Sequence, residues 1–215
     1  MLLTEGFEQY IHRLTTGEND LLTRLERETF QKIVHPRMLS GHSLGIMLQM
    51  ISHMIKPRRI LEVGTYTGYG SICLAQGLTV DGIMHTREVN VELEEMIDRY
   101  LTEAGLKGKV LTHFGDALEI IPTLEETFDL VFIDAAKEQY LDYYRQAIGK
   151  VRHGGFILAD NILWDGKVLE PDNNKDKETQ ALIEFARFVH QDDRVEKTIL
   201  PVRDGLMLIR KIAAR

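Results

Sequence analysis

The 215-residue sequence holds a single cysteine, Cys73, a single tryptophan, Trp164, and five prolines. One cysteine excludes a disulfide framework and a zinc site built on thiolates. Lys and Arg number 26 against 33 Asp and Glu, a net charge of −7. No global basic field is therefore available to hold nucleic acid or an anionic membrane. Long apolar runs are missing too: the most apolar helical stretch, residues 44–55, carries Gln49, Ser52 and His53 and is too short to span a bilayer. Residues 1–14 carry charges and lack the apolar segment of a signal peptide. These absences predict a soluble, cytoplasmic protein.

What is present suits a globular α/β protein. Apolar residues make up 44% and charged residues 27%, and the length fits one domain over residues 1–215. Residues 1–56 read as a helical segment packing on it, with helices over 20–33 and 43–55. From residue 59 strand-like and helix-like segments alternate. Strands are predicted at 60–63, 82–89, 109–114, 128–133, 156–159, 195–200 and 205–211, with His153-Gly-Gly155 as a turn. Between them, helices follow the 3.6-residue period, as in Leu93, Met96, Ile97, Tyr100 and Leu101. Asn90 and Asp116 open two of these helices, and further ones span 137–151 and 176–192; residues 165–175 read as a mobile loop. The last two strands have no helix between them and must run antiparallel. The fold class expected is Rossmann-like and doubly wound. It has a mostly parallel seven-stranded sheet with an antiparallel edge strand, helices on both faces and extra N-terminal helices.

The most informative stretch is residues 60–70, Ile-Leu-Glu-Val-Gly-Thr-Tyr-Thr-Gly-Tyr-Gly. An apolar run stops at Gly64, turns through Tyr66 and Thr67, and reaches Gly68 and Gly70 at the start of a helix. Such a turn brings backbone N–H groups and a helix N-terminus toward a ligand at the strand's carboxyl end. A dinucleotide fingerprint needs Gly-x-Gly-x-x-Gly. Here Gly64 and Gly68 are separated by three residues, a wider loop suited to a ligand without a diphosphate, and Glu62 precedes it.

In a doubly wound sheet, ligands lie outside the carboxyl ends of the strands. Glu88 ends the second strand, where an acid can accept both hydroxyls of a ribose. Asp116-Ala117 ends the third; it either reads an adenine edge or merely caps a helix. Asp134 ends the fourth strand and Asp160-Asn161 the fifth. Two carboxylates and an amide suit a hard divalent cation, Mg²⁺ or alternatively Ca²⁺ or Mn²⁺. Lys137, three residues after Asp134, is placed to take a proton from a hydroxyl. Trp164 either walls an aromatic substrate or packs in the core.

Together these residues resemble the cation-dependent class I O-methyltransferases that use S-adenosylmethionine (SAM), the group of the catechol and caffeoyl-coenzyme A enzymes. The matching stretches are Leu-Glu-Val-Gly-Thr-Tyr-Thr-Gly-Tyr at 61–69, Gly-Asp-Ala at 115–117, Phe-Asp-Leu-Val-Phe-Ile-Asp-Ala-Ala-Lys at 128–137 and Gly-Gly-Phe-Ile-Leu-Ala-Asp-Asn-Ile-Leu-Trp-Asp-Gly-Lys-Val at 154–168. The resemblance implies metal ligation by Asp134, Asp160 and Asn161, with Lys137 as general base beside Asp134. It implies a SAM site formed by Met38, Ser40, Glu62, Gly64, Tyr66, Thr67, Gly68, Gly70, Ser71, Glu88, Asp116, Ala117 and Asp134, with Trp164 on the acceptor. It also implies a homodimer and a small hydroxylated aromatic acceptor. Three positions depart from the pattern. Gly70 stands where relatives often carry a serine, with Ser71 as the nearest substitute; Ala136 replaces an aspartate; and Leu44 replaces a glutamate of plant relatives. The same fold leaves open methylation of a hydroxylated uridine in tRNA, or SAM binding without catalysis.

Overall fold

In a computed structural model, residues 5–212 are described, apart from the side chains of Glu5 and Glu8. Three helices come first: α1 (Glu5–Leu14), α2 (Asp20–Lys32) and α3 (Gly41–Ile55). Asn19 starts α2 by accepting the Leu22 N–H, so polar chemistry sets the boundary. The sheet strands are β1 (Arg59–Val63), β2 (Ile83–Glu88), β3 (Val110–Phe114), β4 (Phe128–Ile133), β5 (Val151–Ala159), β6 (Val195–Leu200) and β7 (Leu206–Lys211). Helices α4 (Tyr69–Ala75), α5 (Glu94–Glu103), α6 (Ala117–Thr123), α7 (Tyr140–Lys150) and α8 (Lys177–Gln191) connect them.

The spatial order is β3-β2-β1-β4-β5-β7-β6. The first five strands pair in parallel, and β7 runs antiparallel to both β5 and β6. Order reverses between β1 and β4, which opens the crevice at their carboxyl ends. Alternate residues of the central strands face opposite layers. Ile60, Leu130, Phe132 and Leu158 pack with α2 to α5. Leu61, Val63, Val131, Ile133 and Ile157 pack with α6 to α8. Burial on both faces explains why β4 reads as one apolar run.

Three segments differ from the sequence expectation. Strand β5 begins at Val151, and His153-Gly-Gly155 lies inside it, not in a turn before it. The register shifts there between Phe128 and Leu130, and Gly154 has φ +75°. The glycines mark a bulge, whose composition mimics a turn. Residues 164–169, which overlap the segment read as loop, form 3₁₀ turns broken by left-handed Asp165 (φ +51°) and Gly166 (φ +78°). The helix expected over 137–151 starts as a 3₁₀ turn, Lys137–Gln139, before α7. No described helix is long and apolar enough to cross a membrane.

Gly64 fixes the centre of the crevice. Its φ is +107°, and a Cβ there would stand 1.9 Å from the Asp134 carbonyl oxygen. Gly64→Ala is expected to lower unfolding free energy by about 3 kcal/mol or more, a clash added to a left-handed backbone. Urea titration followed by circular dichroism measures this; a loss under 1 kcal/mol would contradict the close approach.

Candidate active site

A cavity of about 980 Å³ opens at the carboxyl ends of β1, β2, β4 and β5. Gly64 and Thr65 both donate backbone hydrogen bonds to the Arg87 carbonyl, at 3.1 and 3.0 Å, which ties the loop to β2. The loop then turns at Tyr66, φ +50°, and Gly68, φ +92°, into α4.

Glu88 is buried and held by three backbone donors. Its Oε2 accepts from Tyr66 N at 2.6 Å, and Oε1 accepts from Val89 N and Asn90 N at 2.9 Å each. The carboxylate is thus oriented before any ligand arrives. Tyr66 also donates through its hydroxyl to the His35 carbonyl, 2.9 Å away, linking the loop to the segment before α3.

Glu62 lies at the base of the cavity and is 1% exposed. Ser71 and Thr86 hydroxyls donate to Oε2, while buried Oε1 has no partner. A Cβ on Gly70 would come within 2.9 Å of that Oε1 and 3.6 Å of Ser40 Oγ. Burial, reinforced by Asp134 and Glu88 and opposed by the two hydroxyls, pushes the Glu62 carboxyl up to about 8.

Asp134 and Asp160 stand at neighbouring strand ends. Asp134 Oδ1 accepts from Lys137 Nζ at 2.9 Å. Lys137 Nζ also donates to Tyr140 Oη at 2.9 Å, and that hydroxyl lies 3.1 Å from the Asp160 carbonyl oxygen. Since the phenol proton goes to a carbonyl, its lone pair faces the ammonium. Tyr140 is fully buried, so Lys137 is clamped between a carboxylate and a phenol. Asp160 is 3% exposed and its Oδ1 is buried without a partner. Burial, then the charge of Asp134, pushes its carboxyl up to about 7. Asn161 follows with φ +60°, a left-handed turn. The ring of Trp164 lies 5.9 Å from Lys137 Nζ at the cavity wall, and its Nε1 is unpartnered.

Not every candidate reaches the cavity. Met38, Ser40, Glu62, Gly64, Tyr66, Gly70, Glu88, Asp116, Asp134, Lys137, Asp160, Asn161 and Trp164 line it, whereas Thr67, Gly68, Ser71 and Ala117 do not. Thr67 faces α2, its hydroxyl 3.2 Å from that of Thr29. The Gly68 N–H is spent on the Thr65 carbonyl. Ser71 is turned toward Glu62, which it holds in place. Asp116 caps α6 through Oδ1 and Leu118 N at 2.9 Å, leaving Ala117 buried beneath. Sequence reasoning missed Tyr140 and Arg87. The three-residue spacing from Lys137 signals the first; nothing in the local pattern singles out the second.

Among the described residues no group of three or more His, Cys, Asp or Glu is arranged to hold a metal. What the strand ends offer is two carboxylates and an amide. The orphaned Asp160 oxygen and the mutual repulsion of Asp134 and Asp160 fit a hard cation.

This fold and crevice define a Rossmann-like methyltransferase, as structural comparison bears out. The O-methyltransferase TomG of Streptomyces achromogenes, solved with SAM, superposes with a TM-score of 0.89 at 29% identity, covering 98% of this chain and 100% of that one. Podospora anserina PaMTH1, solved with S-adenosylhomocysteine (SAH), gives 0.89 at 26% identity, covering 97% and 95%. In sequence, caffeoyl-CoA O-methyltransferase of Petroselinum crispum is 32% identical, over 99% of this chain and 93% of the relative. Catechol O-methyltransferase of Niastella koreensis is 31% identical, over 91% and 90%. The family pattern described as O-methyltransferase matches residues 12–212. The chain belongs to this O-methyltransferase family, and its chemistry is SAM-dependent methyl transfer to oxygen.

The raised Glu62 carboxyl gives a pH signature. In the unfolded chain a glutamate ionises near its ordinary value of 4.5, whereas burial keeps the native one protonated up to about 8. The native state therefore binds the extra proton, and stability falls as pH rises from 4.5 to 8. Glu62→Gln is expected to flatten this decline, measured as urea midpoints of ligand-free protein across that window. An unchanged slope would contradict the assignment.

Proposed function

We propose that this enzyme transfers the SAM methyl group to a hydroxyl of a small catecholic or otherwise vicinally hydroxylated aromatic acceptor, assisted by a divalent cation. The observation that carries the reading is the clamped Lys137 beside Asp134 and the orphaned carboxylate oxygen of Asp160. The names of relatives, caffeoyl-CoA and catechol O-methyltransferases, support the acceptor class. Mg²⁺ suits the oxygen donors of Asp134, Asp160 and Asn161, which would hold it. Bound there, a cation would lower the pKa of a ligated acceptor hydroxyl.

Each residue then has a task. Lys137, once neutral, receives the hydroxyl proton, and Tyr140 keeps its amine pointed at the acceptor position. Trp164 offers an aromatic wall for the ring. Glu88 accepts the ribose hydroxyls, and Glu62 Oε1 answers the ammonium of the methionyl tail, where Gly70 leaves the approach open. Bound SAM would supply the methyl group, an oxygen lone pair of the acceptor forming the C–O bond as the C–S bond breaks and its electron pair stays on sulfur, leaving SAH. Holding both partners in line supplies much of the rate, with effective molarities on the order of 10⁵–10⁸ M for well-oriented reactants.

The net charge of −7 favours a small acceptor over tRNA. Phe7, Tyr10, Ile11 and Leu14 of α1 are exposed, which supports the homodimer implied by resemblance.

The direct test incubates the protein with labelled SAM and a catechol panel, with Mg²⁺ and with EDTA. Transfer that EDTA abolishes is expected; transfer indifferent to EDTA would remove the cation from the reading. Asp160→Ala should abolish cation-dependent turnover while SAH affinity, measured calorimetrically, stays within about threefold, under 1 kcal/mol. Tyr140→Phe should lower kcat about tenfold with little change in KM, since it orients the base and touches no ligand. A change confined to KM would contradict that role.

A further inference from the structure

Arg87 is 6% exposed, lines the active-site cavity, and makes no side-chain hydrogen bond or ion pair among the described residues. Its Nε is buried without a partner. A guanidinium carries five donors and stays charged, so burying it unanswered is costly. Such a side chain calls for an acceptor that arrives from outside.

Its position says which. Arg87 pairs in register with Val63 on β1 and His113 on β3, so its side chain lies on the face covered by α6 and α7. Glu88, the next residue, presents the ribose acid from the other face. At the adjoining strand end Asp116 caps α6 with Oδ1 and leaves Oδ2 outside that bond. Arg87, Asp116 and the buried Tyr143 all line the same cavity, from neighbouring β2 and β3 and from α7. Ala136 also lines the cavity and contributes only a methyl group. The result is a donor-rich cation and a carboxylate acceptor beside the place of a ribose. An anionic group would meet Asp116 and Glu88 as like charges. Adenine is neutral and sets ring-nitrogen acceptors next to its 6-amino donor.

We propose that Arg87 is a cofactor-binding residue that holds the purine, its guanidinium donating to a ring nitrogen of adenine while Asp116 Oδ2 accepts from the 6-amino group. This rests on the SAM reading above and adds a contact that neither the glycine loop nor Glu88 supplies. An unpaired buried charge also weakens the empty protein, the usual pattern of a group kept for binding.

The test titrates SAH and 5′-methylthioadenosine into wild type, Arg87→Met and Arg87→Lys by calorimetry, alongside thermal unfolding without ligand. Methylthioadenosine keeps purine and ribose and lacks the amino-acid tail. Arg87→Met is expected to weaken both ligands by a similar factor, about tenfold or more for one lost hydrogen bond from a charged donor. Its ligand-free midpoint should equal or exceed that of wild type, and Arg87→Lys should fall between the two in affinity. Unchanged SAH affinity in Arg87→Met overturns the proposal, and points to an anionic group of the acceptor instead. Weakening of SAH without methylthioadenosine overturns it too, as does a lowered ligand-free midpoint, the mark of a structural role. If wild type binds neither ligand, the cofactor reading itself falls and takes this assignment with it.

Discussion

The site depends on one close approach: the turn after β1 lies against the end of β4, with Gly64 and the Asp134 carbonyl too near for any side chain between them. That contact sets how far apart the cofactor loop and the metal-like carboxylates stand. Asp134 N–H bonds the Val63 carbonyl at 2.9 Å and Asp160 N–H bonds the Ile133 carbonyl at 3.1 Å. Regular sheet pairing thus carries the three strand ends in step. The functional groups inherit their spacing from the sheet, not from flexible loops, which is how a site gains sub-ångström order.

The same geometry concentrates charge where water is scarce. Glu62 and Asp160 are carboxyls that burial drives toward the neutral form, and Arg87 is a cation without a partner. Against this stand the Lys137–Asp134 pair and the three donors fixing Glu88. In isolation such a cavity opposes folding, and the two apolar layers flanking the sheet must offset it. A ligand that gives these buried groups partners recovers that cost on binding, so poor electrostatics in the empty state become affinity in the filled one.

The sheet and its crevice were legible because they follow from periodicity and from one topological rule. An apolar run buried on both faces announces β4, and polar residues at strand ends announce Asp134, Asp160 and Asn161. Legibility failed where identity does not reveal direction. Thr67 and Ser71 sit in the glycine loop and helix, yet the helix phase turns them toward Thr29 and Glu62. His153-Gly-Gly155 has turn composition but forms a bulge, because the pairing with β4 slips by a residue there. Arg87 escaped notice since an arginine at a strand end reads as solvated; only the cover by α6 and α7 makes it buried. Tyr140 reads as core and is core, but its hydroxyl is the part that matters.

Tyr66 has a consequence for the order of events. Its backbone N–H is bound to Glu88, and its hydroxyl is bound to the His35 carbonyl, in the segment that leads to Met38 and Ser40, which line the cavity. One residue therefore ties the end of β2 to that segment across the cavity wall. A ligand that altered the hydrogen bonding of Glu88 would alter the hold on that segment, and by reciprocity the segment's position would alter the ligand's affinity. Whatever binds at Glu88 and whatever packs on residues 35–40 are thus linked through a single tyrosine.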